Sequence, residues 1–225
     1  IEGTAKKINN SLLDTSVGRG GDMFKWFNAG YNTILGVDVD KAGLEGKDSE
    51  NLGSGARERL ENLKDDSNER LQSWAKKSNI EFVQADTSKN IHNLEGISEE
   101  YHDRINNFFY KKGNRSFDTV SSQFSIHYYF GSQENIEGLL TNVTENLDNN
   151  GYFIVTCFDG EEVFSLLKEY HEDESKQLPI VGKVWDEEHN SYKDIWSIKP
   201  GENLDLNKEY LDDEISKSFG LDIQV

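Results

Sequence analysis

Cysteine is nearly absent from this sequence: its 225 residues carry one, Cys157. A lone thiol excludes an internal disulfide and fits a reducing compartment. Cys157 falls in a strand-like run and is expected to be a core residue rather than a nucleophile. Long apolar runs are missing too. None approaches the ~18–20 residues that a helical membrane span needs, and no signal-peptide pattern opens the sequence, so no membrane partner is expected. Positive charge is scarce, with 24 Lys and Arg against 42 Asp and Glu and a formal net charge of −18. Broad, sequence-blind binding along a nucleic-acid backbone requires many neutralised phosphates, and this balance argues against it. An enzyme gripping only the end of a nucleic acid with a few local cations stays compatible. Otherwise the acidity reads as a solvated surface that favours solubility.

What is present is enough for one full α/β domain. Twelve Phe, nine Tyr and four Trp are spread along the chain, which separates it from disordered acidic sequences. The stretch Leu12–Trp26 (LLDTSVGRGGDMFKW) reads as an apolar strand, a glycine-rich turn and an opening helix. Glycine lets backbone approach a ligand closely, and a helix start aims free N–H groups at whatever lies there. The helix is expected over about Gly20–Asn28, with Gly30 as its C-terminal cap.

Further strands are expected at Thr33–Val37, Ile80–Ala85, Phe117–Ser121 and Tyr152–Phe158, the last after a turn at Asp148–Gly151. Between them, residues 42–55 read as a glycine-rich surface loop, and Ala56–Lys77 as one long amphipathic helix. Residues 98–112 and the stretch from Ile136 to Leu147 carry apolar residues at helical spacing, as does Glu161–Tyr170. Val181–Trp185 and Tyr192–Ile198 have the look of an antiparallel hairpin. A last helix over about Lys208–Phe219 precedes a short strand, Leu221–Val225. Strands alternating with helices imply a mainly parallel central sheet with helices on both faces, whose ligands sit beyond the carboxyl ends of the strands.

The chemically interesting residues fall at those ends. Asp38 closes the second strand, where a carboxylate's two acceptor oxygens match a vicinal diol such as ribose. Asp86 closes the third, suited to accept from an exocyclic amine such as that of adenine. Either could be an ordinary turn or capping residue; together they suggest an adenosine along the strand tips. Nicotinamide dinucleotides and S-adenosylmethionine both meet that description. Ser16 occupies the first glycine position of the dinucleotide G-x-G-x-x-G pattern, which disfavours the former. The aromatic-rich end of the fourth strand, Gln123–Phe130 (QFSIHYYF), also favours the methyl donor.

Those segments carry a resemblance. Asp14–Trp26, Val37-Asp38, Phe82–Lys89, Phe117–Phe130 and Asn150–Thr156 resemble the mRNA cap guanine-N7 methyltransferases, in the version found in the multidomain capping enzymes of large DNA viruses. The block from Gln123 to Phe130 is the most specific part. The resemblance implies a Rossmann-like class I methyltransferase fold over residues 1–225, and S-adenosylmethionine as cofactor. It implies that Ser16 and Gly18 face the amino-acid part of that cofactor, Asp38 its ribose and Asp86 its adenine, with Gln123 and Tyr128 completing the site. Arg19 and Lys25 would lie near the cap phosphates, His127 and Tyr128 at the cap guanine, and Glu209 on the guanine edge. Read alone, His127 would be a core histidine, the neighbouring aromatics packing, and Glu209 part of an acidic surface.

No nucleophile, acid–base pair or metal is expected for this reaction, which proceeds by positioning. Implied partners are the capped 5′ end of mRNA (GpppRNA) and guanylyltransferase or RNA triphosphatase domains. The chain, which starts on Ile1, is expected to be a segment of a longer capping enzyme with a truncated C-terminal end. It would act in the cytoplasm, in a viral factory or virion, if viral, and in the nucleus if cellular. Two other readings stay open: a methyltransferase of this fold acting on a small molecule, which keeps Asp38 and Asp86 but needs no cap site, and a degenerate methyltransferase fold serving as a stabilising subunit, which the net charge and Ser16, where the family usually has glycine, keep open.

Overall fold

A computed structural model describes residues 10–46, 54–110, 117–173, 175–187, 189–200, 204–208, 210 and 223–224. They fall into two compact units, one comprising residues 1–129 and 134–156, the other 130–133 and 157–225.

The first unit is a five-stranded sheet: β1 (Ser11–Asp14), β2 (Thr33–Asp38), β3 (Asn79–Gln84), β4 (Phe117–Gln123) and β5 (Leu147–Thr156). The strand order is β3-β2-β1-β4-β5, and every pairing is parallel. Successive side chains on a strand point to opposite faces, so each apolar run serves two cores. Leu12, Ile34 and Phe82 face one side, where they meet Met23, Trp26, Leu60 and Leu71. Leu13, Leu35 and Val83 face the other, against Ile105, Leu139 and Val143. Burial on both faces explains why β1 and β2 read as continuous apolar runs; at the edge, β5 alternates and leaves Tyr152 and Ile154 exposed.

Helix α1 (Met23–Ala29) starts later than expected, because Gly20, Gly21 and Asp22 remain in the turn. Asp22 makes no capping bond; its carboxylate instead takes Lys25 at 2.6 Å. Gly30 caps the other end in the left-handed conformation, φ 82°. The expected loop at 42–55 is corrected in part: α2 (Lys41–Glu45) forms there. Asp40 accepts from the Ala42 N–H at its start, and Leu44 is fully buried. The long helix expected over Ala56–Lys77 is two, α3 (Ala56–Leu63) and α4 (Glu69–Lys77). Asp66 accepts from the Asn68 N–H, and Asn68 accepts from the N–H groups of Arg70 and Leu71. Short polar side chains here compete with the helical ladder and restart it.

Beyond β3, a 3-10 turn at Glu99–Tyr101 runs into α5 (His102–Tyr110). After β4, Phe124 turns the chain at φ 51° into a 3-10 segment, Ile126–Gly131. Helix α6 (Gln133–Asn146) follows. The turn expected at Asp148–Gly151 is a bulge inside β5: Leu147 pairs with Phe117, and the next partners are Tyr152 and Thr119. Cys157 is corrected as well. It lies one residue past β5 and is exposed.

In the second unit, α7 (Gly160–Glu172) is capped by Asp159. The expected hairpin forms from β6 (Ile180–Asp186) and β7 (Ser191–Pro200), which pair antiparallel. Phe164, Leu167, Ile180, Ile198 and Leu206 make a small core. A two-residue strand, β8 (Ile223–Gln224), pairs with Lys199 and Pro200. The expected helix over Lys208–Phe219 falls almost wholly outside the described residues.

Candidate active site

A cavity of about 530 Å³ opens at the carboxyl ends of the parallel strands. Its wall is built from Thr15 and Ser16 after β1, Asp38 and Val39 at the end of β2, and Asp86–Lys89 after β3. Gln123 at the end of β4, Phe124, Ser125, Tyr128 and Tyr129 after it, and Asn135 of α6 complete it. A larger groove of about 690 Å³ lies at the amino ends of β2 and β3, beside Asn32, Thr33 and Asn79. Helix starts and crossover loops converge at the carboxyl ends, so the smaller cavity is where chemistry is expected.

The glycine turn is held by backbone bonds from Val17 N–H to the Val37 carbonyl (3.0 Å) and from Gly20 N–H to the Val17 carbonyl (2.9 Å). Gly18 and Gly20 both have positive φ, which favours glycine there. Asp38 stitches this turn to β2: its Oδ2 accepts the Gly18 N–H at 2.7 Å and its Oδ1 the Asp40 N–H at 2.8 Å. Burial raises the Asp38 carboxyl above its usual range, opposed by those two amides. Gly43 of α2 packs close by, where a Cβ would come within 3.4 Å of the Gly18 backbone.

Asp86 is set differently. Its Oδ1 accepts both the N–H (2.9 Å) and the hydroxyl (2.7 Å) of Ser88. Asn142 of α6, which is fully buried, clamps the loop that follows. It accepts the Ile91 N–H at 2.9 Å and donates to the carbonyls of Thr87 (2.8 Å) and Lys89 (2.7 Å). Asn142→Ala is expected to cost about 2 kcal/mol by leaving these groups unpaired. Thermal melts should show a fall of about 4–8 °C; an unchanged melting temperature would contradict the clamp.

A model of the mRNA (guanine-N(7))-methyltransferase domain matches residues 2–193. The chain belongs to that family. Among similar proteins is the "Probable mRNA-capping enzyme" of Acanthamoeba polyphaga mimivirus, 29% identical over 206 residues, 88% of this chain and 16% of the relative. The mRNA cap guanine-N(7) methyltransferases of Candida albicans and Caenorhabditis elegans are 29% and 30% identical, over 72% and 69% of this chain. The chain spans 31% and 33% of those two relatives, and less of the mimivirus protein. A solved glycopeptide N-methyltransferase complexed with S-adenosylmethionine aligns with 87% of this chain and 62% of its own, at 14% identity and TM-score 0.43.

Of the residues the methyltransferase resemblance singled out, the cavity brings together Ser16, Asp38, Asp86, Gln123 and Tyr128. Gly18 is not in its wall and acts on it through Asp38. Gln123 is tied inward, donating to the Ser121 hydroxyl at 2.9 Å and accepting from the Thr156 hydroxyl at 2.9 Å. Tyr128 is exposed, with its ring centroid 4.1 Å from that of His127. His127 is half-buried, and burial lowers its pKa, so its imidazole is neutral at neutral pH. Arg19, Lys25 and His127 do not line the cavity. Glu209 lies outside the described residues. Sequence reasoning missed Tyr129, Thr87 and Asn142. The first two are hydroxyl residues with no spacing signal. Asn142 was detectable as a polar residue inside the apolar stripe of Leu139 and Val143.

Proposed function

We propose that this chain binds S-adenosylmethionine in the strand-end cavity and transfers its methyl group to N7 of the cap guanine of an mRNA. The observation that carries the reading is the family match together with one wall holding two carboxylates, from successive strand ends. Asp38 keeps acceptor lone pairs for a ribose diol beyond the two amides it holds. Among the described residues nothing hydrogen-bonds Asp86 Oδ2, which suits the exocyclic amine of adenine. Ser16 and the Gly18 turn would receive the amino-acid part, with Gln123 and Tyr128 closing the site. Arg19 and Lys25 would meet the cap phosphates, and His127, Tyr128 and Glu209 the guanine.

S-adenosylmethionine supplies an electrophilic methyl carbon on a sulfonium sulfur. Guanine N7 offers a lone pair and no proton at neutral pH, so no side chain has to act as a general base. The residues' work is to hold both partners in line, an effect that can supply ~7–11 kcal/mol of a barrier. A neutral His127 beside the guanine places no opposing charge where positive charge develops, and the carboxylate of Glu209 on the ring edge would favour it. Linked guanylyltransferase or triphosphatase domains would supply further RNA contacts. The small share of the mimivirus capping protein that the chain spans supports that arrangement.

Incubation with a labelled methyl donor and GpppRNA tests the reading: label is expected on guanine N7. Label on ribose, or none on RNA, would reject it. Lys25→Glu replaces the Lys25–Asp22 ion pair with two like charges and is expected to raise KM for capped RNA about 5-fold. Affinity for S-adenosylmethionine should be unchanged, and equal kinetics with RNA would remove Lys25 from the phosphate site.

A further inference from the structure

Ser16 ends in a chain of hydroxyls whose direction the geometry fixes. Thr87 Oγ1 lies 3.1 Å from the Thr15 carbonyl, which can only accept, so the Thr87 hydroxyl hydrogen is committed to it. Thr87 Oγ1 also bonds Tyr129 Oη, and with its own hydrogen spent it must accept there. Tyr129 therefore donates to Thr87, leaving its oxygen lone pairs to accept the Ser16 hydroxyl at 3.3 Å. The order is Ser16 to Tyr129 to Thr87 to the Thr15 carbonyl, each hydroxyl donating to the next. Tyr129 is 8% exposed and Thr87 5%, so water does not compete strongly for these bonds. Burial also holds the Tyr129 phenol above its ordinary pKa, so it keeps its proton at neutral pH.

With its hydrogen turned inward, Ser16 shows the cavity only oxygen lone pairs. Such a group accepts from N–H donors and offers nothing to a carboxylate. We infer that Ser16 Oγ is an acceptor for the α-ammonium group of the bound methyl donor, and that Tyr129 and Thr87 are the positioning residues that orient it. Bonds in such a chain polarise one another, which strengthens the terminal acceptor. The side chain that departs from the family's usual glycine is then a contact rather than an obstruction. This inference rests on S-adenosylmethionine binding in the strand-end cavity, and on nothing about the acceptor.

Calorimetric titration of the whole chain tests it with two probes. S-adenosylhomocysteine carries the ammonium group; methylthioadenosine keeps adenine and ribose and lacks the amino-acid part. Tyr129→Phe retains the ring and its packing, and Ser16→Ala changes a half-buried position, so melting temperatures should confirm that both fold. Each is expected to weaken S-adenosylhomocysteine about tenfold while methylthioadenosine binds as to the wild type. The double variant should be no weaker than Ser16→Ala alone, because Tyr129 acts only through the Ser16 acceptor. Equal losses for both probes in Tyr129→Phe would make the phenol merely structural and overturn the inference. So would unchanged S-adenosylhomocysteine affinity in Ser16→Ala. Wild-type protein that binds neither probe overturns this inference and the cofactor reading together. Binding without methylation of GpppRNA overturns only the cap reading.

Discussion

Asp38→Asn is expected to weaken S-adenosylmethionine binding about 100-fold. Both carboxylate oxygens accept backbone N–H groups, Gly18 at 2.7 Å and Asp40 at 2.8 Å. An amide has one acceptor oxygen and one donor NH₂, so whichever way Asn turns, it sets a donor against one of those amides. Losing one such bond and leaving the N–H unpaired costs about 1–3 kcal/mol. The loosened Gly18 turn and the weaker diol acceptor add to it, and about 1.4 kcal/mol corresponds to each tenfold in affinity. Titration of S-adenosylmethionine into the variant checks this, with methylthioadenosine as the probe of the ribose contact. Because Asp38 is in the adenosine half of the site, both ligands should lose affinity together. That pattern is opposite to the one expected for Tyr129→Phe. A dissociation constant within threefold of wild type would show that the turn is held without Asp38.

The strand ends were legible because the physics that marks them is local. In β2 a buried apolar run ends on Asp38, and in β3 the short run Phe82-Val83 is followed three residues on by Asp86; both acids stand at the wall of the cavity. Gln123 and Tyr128 came through the resemblance of one block rather than through periodicity. What was illegible depends on contacts far apart in the chain. Tyr129, Thr87 and Ser16 meet only once three strand ends are side by side, and hydroxyl residues carry no period that would announce the meeting.

Some misreadings had a local signal that was outweighed. Asp40, Leu44 and Gly46 spell a cap, a buried anchor and a left-handed stop for α2, yet four glycines nearby made residues 42–55 read as loop. The same imbalance joined α3 to α4. The amphipathic stripe continues across Asp66 and Asn68 and masks two residues that compete for backbone N–H groups. Asp148–Gly151 has the composition of a turn, and its backbone does turn, with Asn150 at φ 66°, but within a strand that resumes its pairing. Composition signals a bend without saying whether the ladder ends there.

Asp14→Asn is expected to raise the melting temperature at pH 8 by about 6–12 °C and to change it little at pH 4. Asp14 ends β1 at 1% exposure. Its carboxyl is raised from 3.8 to about 7, chiefly by burial. The Ser16 N–H opposes that rise, the charges of Asp22 and Asp38 add to it, and Lys25 lowers it. Below pH 4 the group is protonated in both folded and unfolded chains and contributes no difference. Between about 4 and 7 the folded protein keeps a proton that the unfolded chain has released, so stability falls as pH rises through that window. A shift of this size corresponds to roughly 4 kcal/mol lost by pH 8, at about 1.4 kcal/mol per pH unit. Asn cannot ionise, and its carbonyl oxygen can still accept the Ser16 N–H that Asp14 holds at 3.2 Å. Its NH₂ stands where the protonated acid had one hydrogen, so we expect about 3 kcal/mol of the loss to be recovered, at about 2–4 °C per kcal/mol. The many other carboxylates titrate alike in both proteins, and the difference between the two melting curves from pH 4 to pH 8 therefore isolates this one group. Curves that run parallel across that range would mean that Asp14 ionises at its ordinary pKa, and that the base of the glycine turn is wetter than its burial indicates.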